Sequence, residues 1–176
     1  MRIIGGTHRS RKIEAPRNLP LRPTTDFAKE SLFNILINRF DLEEVSVLDL
    51  FSGTGAISFE FASRGAKRIV SVEKNYNCYG FIKHRAKEFG FENILPYKGD
   101  AFKFLEGCTE TFDIIFADPP YELRGIEKLP GLVFGGKLLN ENGLLIIEHS
   151  GRVSLAKEER FLEKRTYGEV NFSMFG

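Results

Sequence analysis

Between residues 45 and 149 short apolar runs alternate with amphipathic stretches, and the two periods predict two kinds of element. Residues 45–50, 68–73, 94–98, 111–117 and 143–149 are brief and mostly Val, Ile, Leu and Phe, which predicts strands with both faces covered. Residues 56–63 and 76–89 carry helical spacing, and Gly90 stands where the second helix must stop. Residues 101–106 and 126–139 read as helical or loop connections. Strands alternating with helices predict an α/β fold built on a doubly wound, mostly parallel sheet. The tail, residues 159–175, adds two candidate strands meeting near Tyr167-Gly168, an antiparallel hairpin that closes one edge and brings the sheet to seven strands.

The chain before residue 45 has a different texture. Residues 1–13 read as two short strands around the turn-rich Gly5-Gly6-Thr7-His8-Arg9-Ser10, a β-hairpin arm with basic groups at its tip. Pro16, Pro20 and Pro23 punctuate an extended linker. Thr24 or Thr25 then caps a helix whose apolar residues Phe27, Leu32, Phe33, Ile35, Leu36 and Phe40 are spaced at roughly helical intervals. The expected organisation is an arm and linker over residues 1–22 followed by one domain over residues 23–176, together a single compact body.

Composition narrows the class. A chain of 176 residues that is 42% hydrophobic can bury one sizeable core. It contains no apolar run long enough to span a membrane, which predicts a soluble cytoplasmic protein. Cys78 and Cys108 form no CxxC pair, and His8, His84 and His149 show no metal-ligand spacing, so neither a disulfide framework nor a metal site is expected. The net charge of +1 conceals an asymmetry: residues 1–22 hold six Lys and Arg against Glu14 alone, a local +5 that leaves −4 for the rest. A basic arm ahead of a mildly acidic body is suited to meet a polyanion, and Arg2, His8, Arg9, Arg11, Lys12 and Arg17 are its candidate nucleic-acid contacts. A solvated tail accounts for the same charges equally well.

In open parallel sheets ligands bind beyond the carboxyl ends of the strands, so the residues that follow each strand carry the chemistry. The first strand runs into Asp49-Leu50-Phe51-Ser52-Gly53-Thr54-Gly55, where glycines allow a tight turn and close approach of backbone to ligand. A dinucleotide fingerprint needs a third glycine at position 58, which is Ser58, and Asp49 favours a cationic amino-acid ligand over a phosphate. Glu73 ends the second strand about 20 residues on, placed to accept the hydroxyl hydrogens of a ribose. Asp100-Ala101 follows the third, as an adenine contact, a helix cap, or both.

The sharpest signal is Asp118-Pro119-Pro120-Tyr121, directly after an apolar strand. An exocyclic amine conjugated to a base is a poor nucleophile, because its lone pair is delocalised into the ring. Asp118 and the Pro119 carbonyl are candidates to accept its two N–H bonds, Pro119 and Pro120 stiffen the turn, and Tyr121 can stack on the base.

These motifs resemble the class I S-adenosylmethionine-dependent methyltransferases with a Rossmann-like fold, and among them the N-methyltransferases bearing a (D/N)PPY loop. Met1–Gly6, Arg9-Ser10-Arg11-Lys12, Arg22-Pro23-Thr24-Thr25-Asp26, Glu30–Leu36, Asp49–Gly55 and Asp118–Tyr121 are similar to the RsmD-type 16S rRNA guanine-N2 methyltransferases over nearly the whole chain. The resemblance implies S-adenosyl-L-methionine as cofactor, held by Asp49, Phe51, Ser52, Gly53, Thr54, Gly55, Glu73, Asp100 and Ala101, with Arg22 and Thr24 completing the methionine end. It also implies Asp118, Pro119, Pro120 and Tyr121 as catalytic residues, ribosomal RNA or an assembling small subunit as partner, and a monomer. Ser10 stands where that family usually has glycine, and Phe27-Ala28-Lys29 replaces a more arginine-rich helix start. Methylation of a DNA amine or of a protein glutamine would use the same loop chemistry, and a noncatalytic RNA-binding module with a vestigial pocket is the alternative outside enzymes.

Overall fold

The computed structural model describes residues 1–15 and 25–176. The proline-punctuated linker, Arg17, Arg22 and Thr24 therefore lie outside the described residues. Helix α1, Asp26–Ile37, is capped by Thr25, whose hydroxyl accepts the Ala28 amide at 3.2 Å. The remaining elements alternate as expected: β1 Ser46–Leu50, α2 Ala56–Ser63, β2 Arg68–Glu73, α3 Tyr76–Phe89, β3 Ile94–Lys98, α4 Ala101–Gly107, β4 Phe112–Ala117, α5 Lys128–Gly135, β5 Leu139–His149, β6 Phe161–Tyr167 and β7 Val170–Phe175. Gly90 ends α3 in the left-handed conformation at φ 70°.

All seven strands form one sheet in the order β3-β2-β1-β4-β5-β7-β6. The first five are parallel, and β7 runs antiparallel between β5 and β6. Alternate residues of the apolar strands feed two separate cores. Val47, Ile69, Ile114, Phe116 and Ile146 pack with α1, α2, α3 and the arm. Leu48, Val70, Ile115, Leu145 and Ile147 pack with α4 and α5. This double coverage is why the strands read as continuous apolar runs. Leu50 lies level with Val72 on one side and Ala117 on the other, so β1, β2 and β4 present their carboxyl ends together.

Three expectations need adjustment. Strand β5 starts at Leu139 rather than near residue 143, because its ladder with β4 shifts register between Phe112 and Ile114 and absorbs the polar start of the strand. In α1, Phe27 is 65% exposed, so it belongs to the solvent side of its helix, and Phe40 falls beyond the helix end. The arm is less regular than two strands: a single antiparallel bridge, Arg2 with Lys12, joins its halves. It is nonetheless fastened down. Ile3 and Ile13 are buried in the main core, and the Thr7 amide donates to the Ser63 carbonyl at 2.7 Å. A Cβ on Gly6 would fall 1.8 Å from that same carbonyl, which is why glycine is needed there.

Ser10 occupies the left-handed region at φ 69°. An L-residue is strained there, by about 1–2 kcal/mol, and glycine relieves it at the cost of a floppier unfolded chain. Ser10→Gly is therefore expected to raise stability by about 0.5–1 kcal/mol, read as a shift of the urea midpoint at constant slope. A lower midpoint would show that the Ser10 conformation carries no such strain.

Candidate active site

The carboxyl ends of the parallel strands open on one cleft of about 1470 Å³, roomier than the usual few hundred to 1,000 Å³ of a single small-ligand site. Asp49, Phe51, Ser52, Gly53, Thr54, Glu73, Asp100, Ala101, Asp118, Pro119, Pro120 and Tyr121 all line it, as do Arg2 and Lys12 of the arm. Residues far apart in the chain, singled out on separate local grounds, thus share one cavity.

The loop after β1 is built from alternating left-handed residues, Phe51 at φ 58°, Gly53 at 55° and Gly55 at 79°. Phe51 adopts this conformation without glycine's freedom, held by its neighbours: the Ser52 amide donates to the Val72 carbonyl at 3.1 Å and the Ser52 hydroxyl to the Asp49 carbonyl at 2.7 Å. Gly55 is the N-cap of α2 and supplies no side-chain cap. A Cβ there would also sit 3.0 Å from Ile82 and Phe59. Ser58, which replaces the third glycine of a dinucleotide fingerprint, is fully buried; its hydroxyl reaches the Asp49 carboxylate at 2.5 Å and the Ser71 hydroxyl at 2.6 Å.

Glu73 is positioned by the loop it faces. One carboxylate oxygen accepts the Gly53 amide at 2.8 Å and the other the Asn75 amide at 2.6 Å. Asn75 caps α3, accepting from the amides of Asn77 and Cys78, and it lines the cleft beside Glu73. The sequence reading missed Asn75; an Asn directly before a helix pattern and two residues after a strand-end acid is the signal that marks it. Asp100 caps α4 by accepting from Phe102 and Lys103, and pairs with Lys74 at 3.2 Å. Burial pulls its carboxyl upward, but the Lys74 hydrogen bond and the helix amides outweigh that and hold it below the usual carboxylate range.

At the β4 end, the Asp118 amide donates to the Leu50 carbonyl at 3.4 Å, tying the loop to the adjacent strand. The Pro120 carbonyl accepts from the Leu123 amide at 2.8 Å, closing a turn, so Pro120 serves the loop's shape. Tyr121 is 37% exposed on the cleft wall. Behind the loop, His149 is buried with its ring nitrogens on the Ser150 carbonyl at 2.9 Å and the Ser173 hydroxyl at 2.8 Å, and burial lowers its pKa below the ordinary histidine value.

The arm divides its candidate contacts. Arg2 and Lys12 reach the cleft, with Arg2 paired to Asp26 at 3.0 Å. His8 is half-buried against Phe89 and Phe91, ring centroids 5.9 and 4.5 Å apart, so it seats the arm. Arg9 and Arg11 are exposed, Arg11 with its guanidinium 4.0 Å over the Phe89 ring. Among the described residues no group of three or more His, Cys, Asp or Glu is arranged to hold a metal ion, and no helix is long and apolar enough to cross a membrane.

Asp49 is 1% exposed, and its carboxyl is pushed up to about 7, chiefly by burial and further by the charges of Asp118 and Glu73, against the Ser58 hydrogen bond that lowers it. Three carboxylates converging on a cleft favour a cationic ligand. A carboxyl raised in the folded state contributes stability that is complete below about pH 3.8 and is lost as pH rises to about 7. A cation that pairs with ionised Asp49 works the other way, so affinity for an ammonium-bearing ligand is expected to rise roughly five- to tenfold between pH 6 and 7.5. Asp49→Asn should abolish that rise and make the free protein more heat-stable than wild type at pH 8. Titration calorimetry and thermal scans at both pH values check this; a wild-type affinity independent of pH would remove Asp49 from ligand binding.

A strand order in which β7 of the carboxy-terminal hairpin is the one reversed strand, a glycine loop after β1 and an acid ending β2 define a class I methyltransferase fold. The family model described as conserved hypothetical protein 95 matches residues 1–176, and the chain belongs to that family. It is 31% identical to the Bacillus subtilis protein YlbH, over 99% of this chain and 98% of that one. It is 30% identical to ribosomal RNA small subunit methyltransferase D of Escherichia coli, over 99% and 89% respectively. The solved structure of a Thermus thermophilus protein, TTHA0928, superposes with a TM-score of 0.86 at 27% identity, over 99% and 98% of the two chains.

Proposed function

We propose that this chain transfers a methyl group from S-adenosyl-L-methionine to ribosomal RNA, and that the acceptor is the exocyclic N2 of a guanine in the 16S molecule. One observation carries the reading: the Asp118–Tyr121 loop and the Phe51–Gly55 loop face the same cleft, so an amine-orienting site and a cofactor site adjoin. The residues fit the cofactor. Glu73, Asp100, Ala101 and Asp49 line the same cleft, and in this reading Glu73 accepts the ribose hydroxyls, Asp100 and Ala101 contact the adenine, and Asp49 answers the ammonium. When bound, the cofactor supplies an electrophilic methyl on a sulfonium.

The remaining work belongs to the protein's own groups. Asp118 and the Pro119 carbonyl accept the two amine N–H bonds, which turns the nitrogen lone pair out of conjugation and toward the methyl. Tyr121 stacks on the base and fixes its plane. The methylated nitrogen is acidic enough to lose its extra proton to water, so no strong base is required. Arg2, Arg9, Arg11, Lys12 and the undescribed Arg17 supply phosphate contacts, while Arg22 and Thr24, also undescribed, close the methionine end. In this reading the protein works as a monomer in the cytoplasm, on RNA that is naked or part of an assembling small subunit.

The test is methyl transfer from labelled cofactor to protein-free 16S rRNA, to DNA and to ribosomal protein, followed by nucleoside analysis. Label in N2-methylguanosine is expected. Label in adenosine, in DNA or in a glutamine side chain would overturn the acceptor assignment, and failure to bind the cofactor would leave only a noncatalytic role.

A further inference from the structure

Two buried serines stand behind the cleft with no part in the proposed chemistry. Ser71 interrupts the apolar strand β2, level with Asp49 in the ladder to β1, and Ser58 lies in the first turn of α2; neither is exposed to solvent. A buried hydroxyl without partners is costly, so each must answer the other or a third group. They do both. The Ser58 and Ser71 oxygens are 2.6 Å apart, and the Ser58 oxygen is 2.5 Å from Oδ2 of Asp49.

Proton counting fixes the direction of this chain. An ionised carboxylate only accepts, so the one hydroxyl hydrogen of Ser58 is committed to Asp49. Ser58 then accepts from Ser71, and the bonds run from Ser71 through Ser58 to Asp49, each polarising the next. The Ser58 amide donates to the same carboxylate oxygen at 3.1 Å. Gly55 caps α2 without a side chain, so Asp49 takes the place of the missing cap at the positive end of that helix. Both Ser58 donors converge on Oδ2, and among the described residues none is bonded to Oδ1.

The donors work against the rest of the site. Burial, the charge of Asp118 beyond β4 and the charge of Glu73 at the end of β2 all disfavour ionised Asp49. Cys78 of α3 also lines the cleft, its thiol pushed up from 9.0 by burial. Arg2 is paired with Asp26 and Lys74 with Asp100, and Lys12, Glu14 and Glu122 are the other charged groups among the described residues of the cleft.

We propose that Ser58 and Ser71 are positioning residues for cofactor binding: their hydroxyl relay holds Asp49 ionised by one oxygen and leaves the other for the ammonium of the bound cofactor. The proposal rests on the reading above that Asp49 meets that ammonium. Serines that served only to satisfy one another inside the core would leave the titration of the carboxylate unchanged.

The experiment compares wild type with Ser58→Ala, Ser71→Ala, Ser58→Ala/Ser71→Ala and Asp49→Asn, all in the full chain, from pH 5.5 to 9. Carbon-13 NMR follows the Asp49 carboxyl in the ligand-free protein, assigned as the resonance that Asp49→Asn removes, and titration calorimetry gives the Kd for S-adenosyl-L-methionine. The wild-type midpoint is expected at about 7. Loss of a hydrogen bond to the charged form raises it, by about one pH unit in Ser58→Ala and by less in Ser71→Ala, where the Ser58 hydroxyl still donates. Relative to wild type, Ser58→Ala should bind the cofactor about tenfold more weakly at pH 6 and less than about twofold more weakly at pH 8.5. Comparing the two proteins at each pH cancels the ligand's own titration. The double variant strands neither hydroxyl, so it keeps the comparison sound if Ser58→Ala alone folds poorly, and its midpoint should also lie above wild type. A wild-type midpoint in both, with an affinity ratio that does not change with pH, overturns the relay alone. An Asp49→Asn affinity that follows the wild-type pH profile takes Asp49 away from the ammonium and overturns the relay together with the reading beneath it.

Discussion

Asp118→Asn is expected to keep measurable single-turnover methylation, while Asp118→Ala is expected to fall on the order of 10² to 10³ below wild type. Asp118 follows β4, with its amide anchored on Leu50 and its side chain lining the cleft, so both substitutions leave the loop's attachment in place. An amide oxygen still accepts an N–H bond but takes up no proton at neutral pH, which separates orientation of the amine from its deprotonation. Losing one preorganised acceptor at a reacting centre costs about 2.7–4 kcal/mol of transition-state stabilisation, well outside measurement error. Saturating cofactor and RNA isolate the chemical step from binding and release. Equal losses in the Asn and Ala variants, with normal cofactor binding, would make Asp118 a base; wild-type rates in both would take it out of the mechanism.

Glu60→Ala is expected to cost about 3–5 kcal/mol of stability, the usual consequence of stranding a buried charge. Glu60 is fully buried and gathers three donors: the Ile4 amide at 2.9 Å, Arg64 at 2.9 Å and Lys29 at 3.4 Å. Lys29, itself 2% exposed, also donates to the Arg2 carbonyl, so the cluster joins the arm to α1 and α2. Burial lowers the Lys29 pKa, and Glu60 is the main influence raising it again. Without Glu60 that pKa drops further, so the unfolded chain binds more protons over a wide range. The penalty should therefore be greatest at low pH and shrink as pH climbs toward the ordinary lysine value of 10.5. Lys29→Met/Glu60→Leu, which removes both charges, should recover much of the loss. Urea denaturation at pH 6 and pH 9 gives the comparison, and a loss below about 1 kcal/mol at pH 6 would show that the cluster does not hold the arm.

Much of this protein is written locally. Strand and helix periods, the stop at Gly90, and the turn and cap residues at 51–55, 75 and 118–121 depend on a few consecutive side chains, so α2, α3, β2 and β3 match their sequence reading at both ends. The chemical loops were legible for the same reason: each directly follows a strand, and parallel strands leave their carboxyl ends on one side. Strand order was not, since apolar alternation implies a parallel sheet without saying which strand lies beside which. The Lys29–Glu60 pair, the seating of Gly6 on Ser63 and the stitching of α3 to Glu14 join residues dozens of positions apart, and nothing local announces them. Glu60 comes nearest to an exception, as the one charged residue in Ala56–Ser63. The sequence by itself determined most of the elements and the candidate groups at the strand ends; only the tertiary structure decided that the basic arm lies packed against α2 and α3, because that choice is made by burial and charge pairing between distant segments.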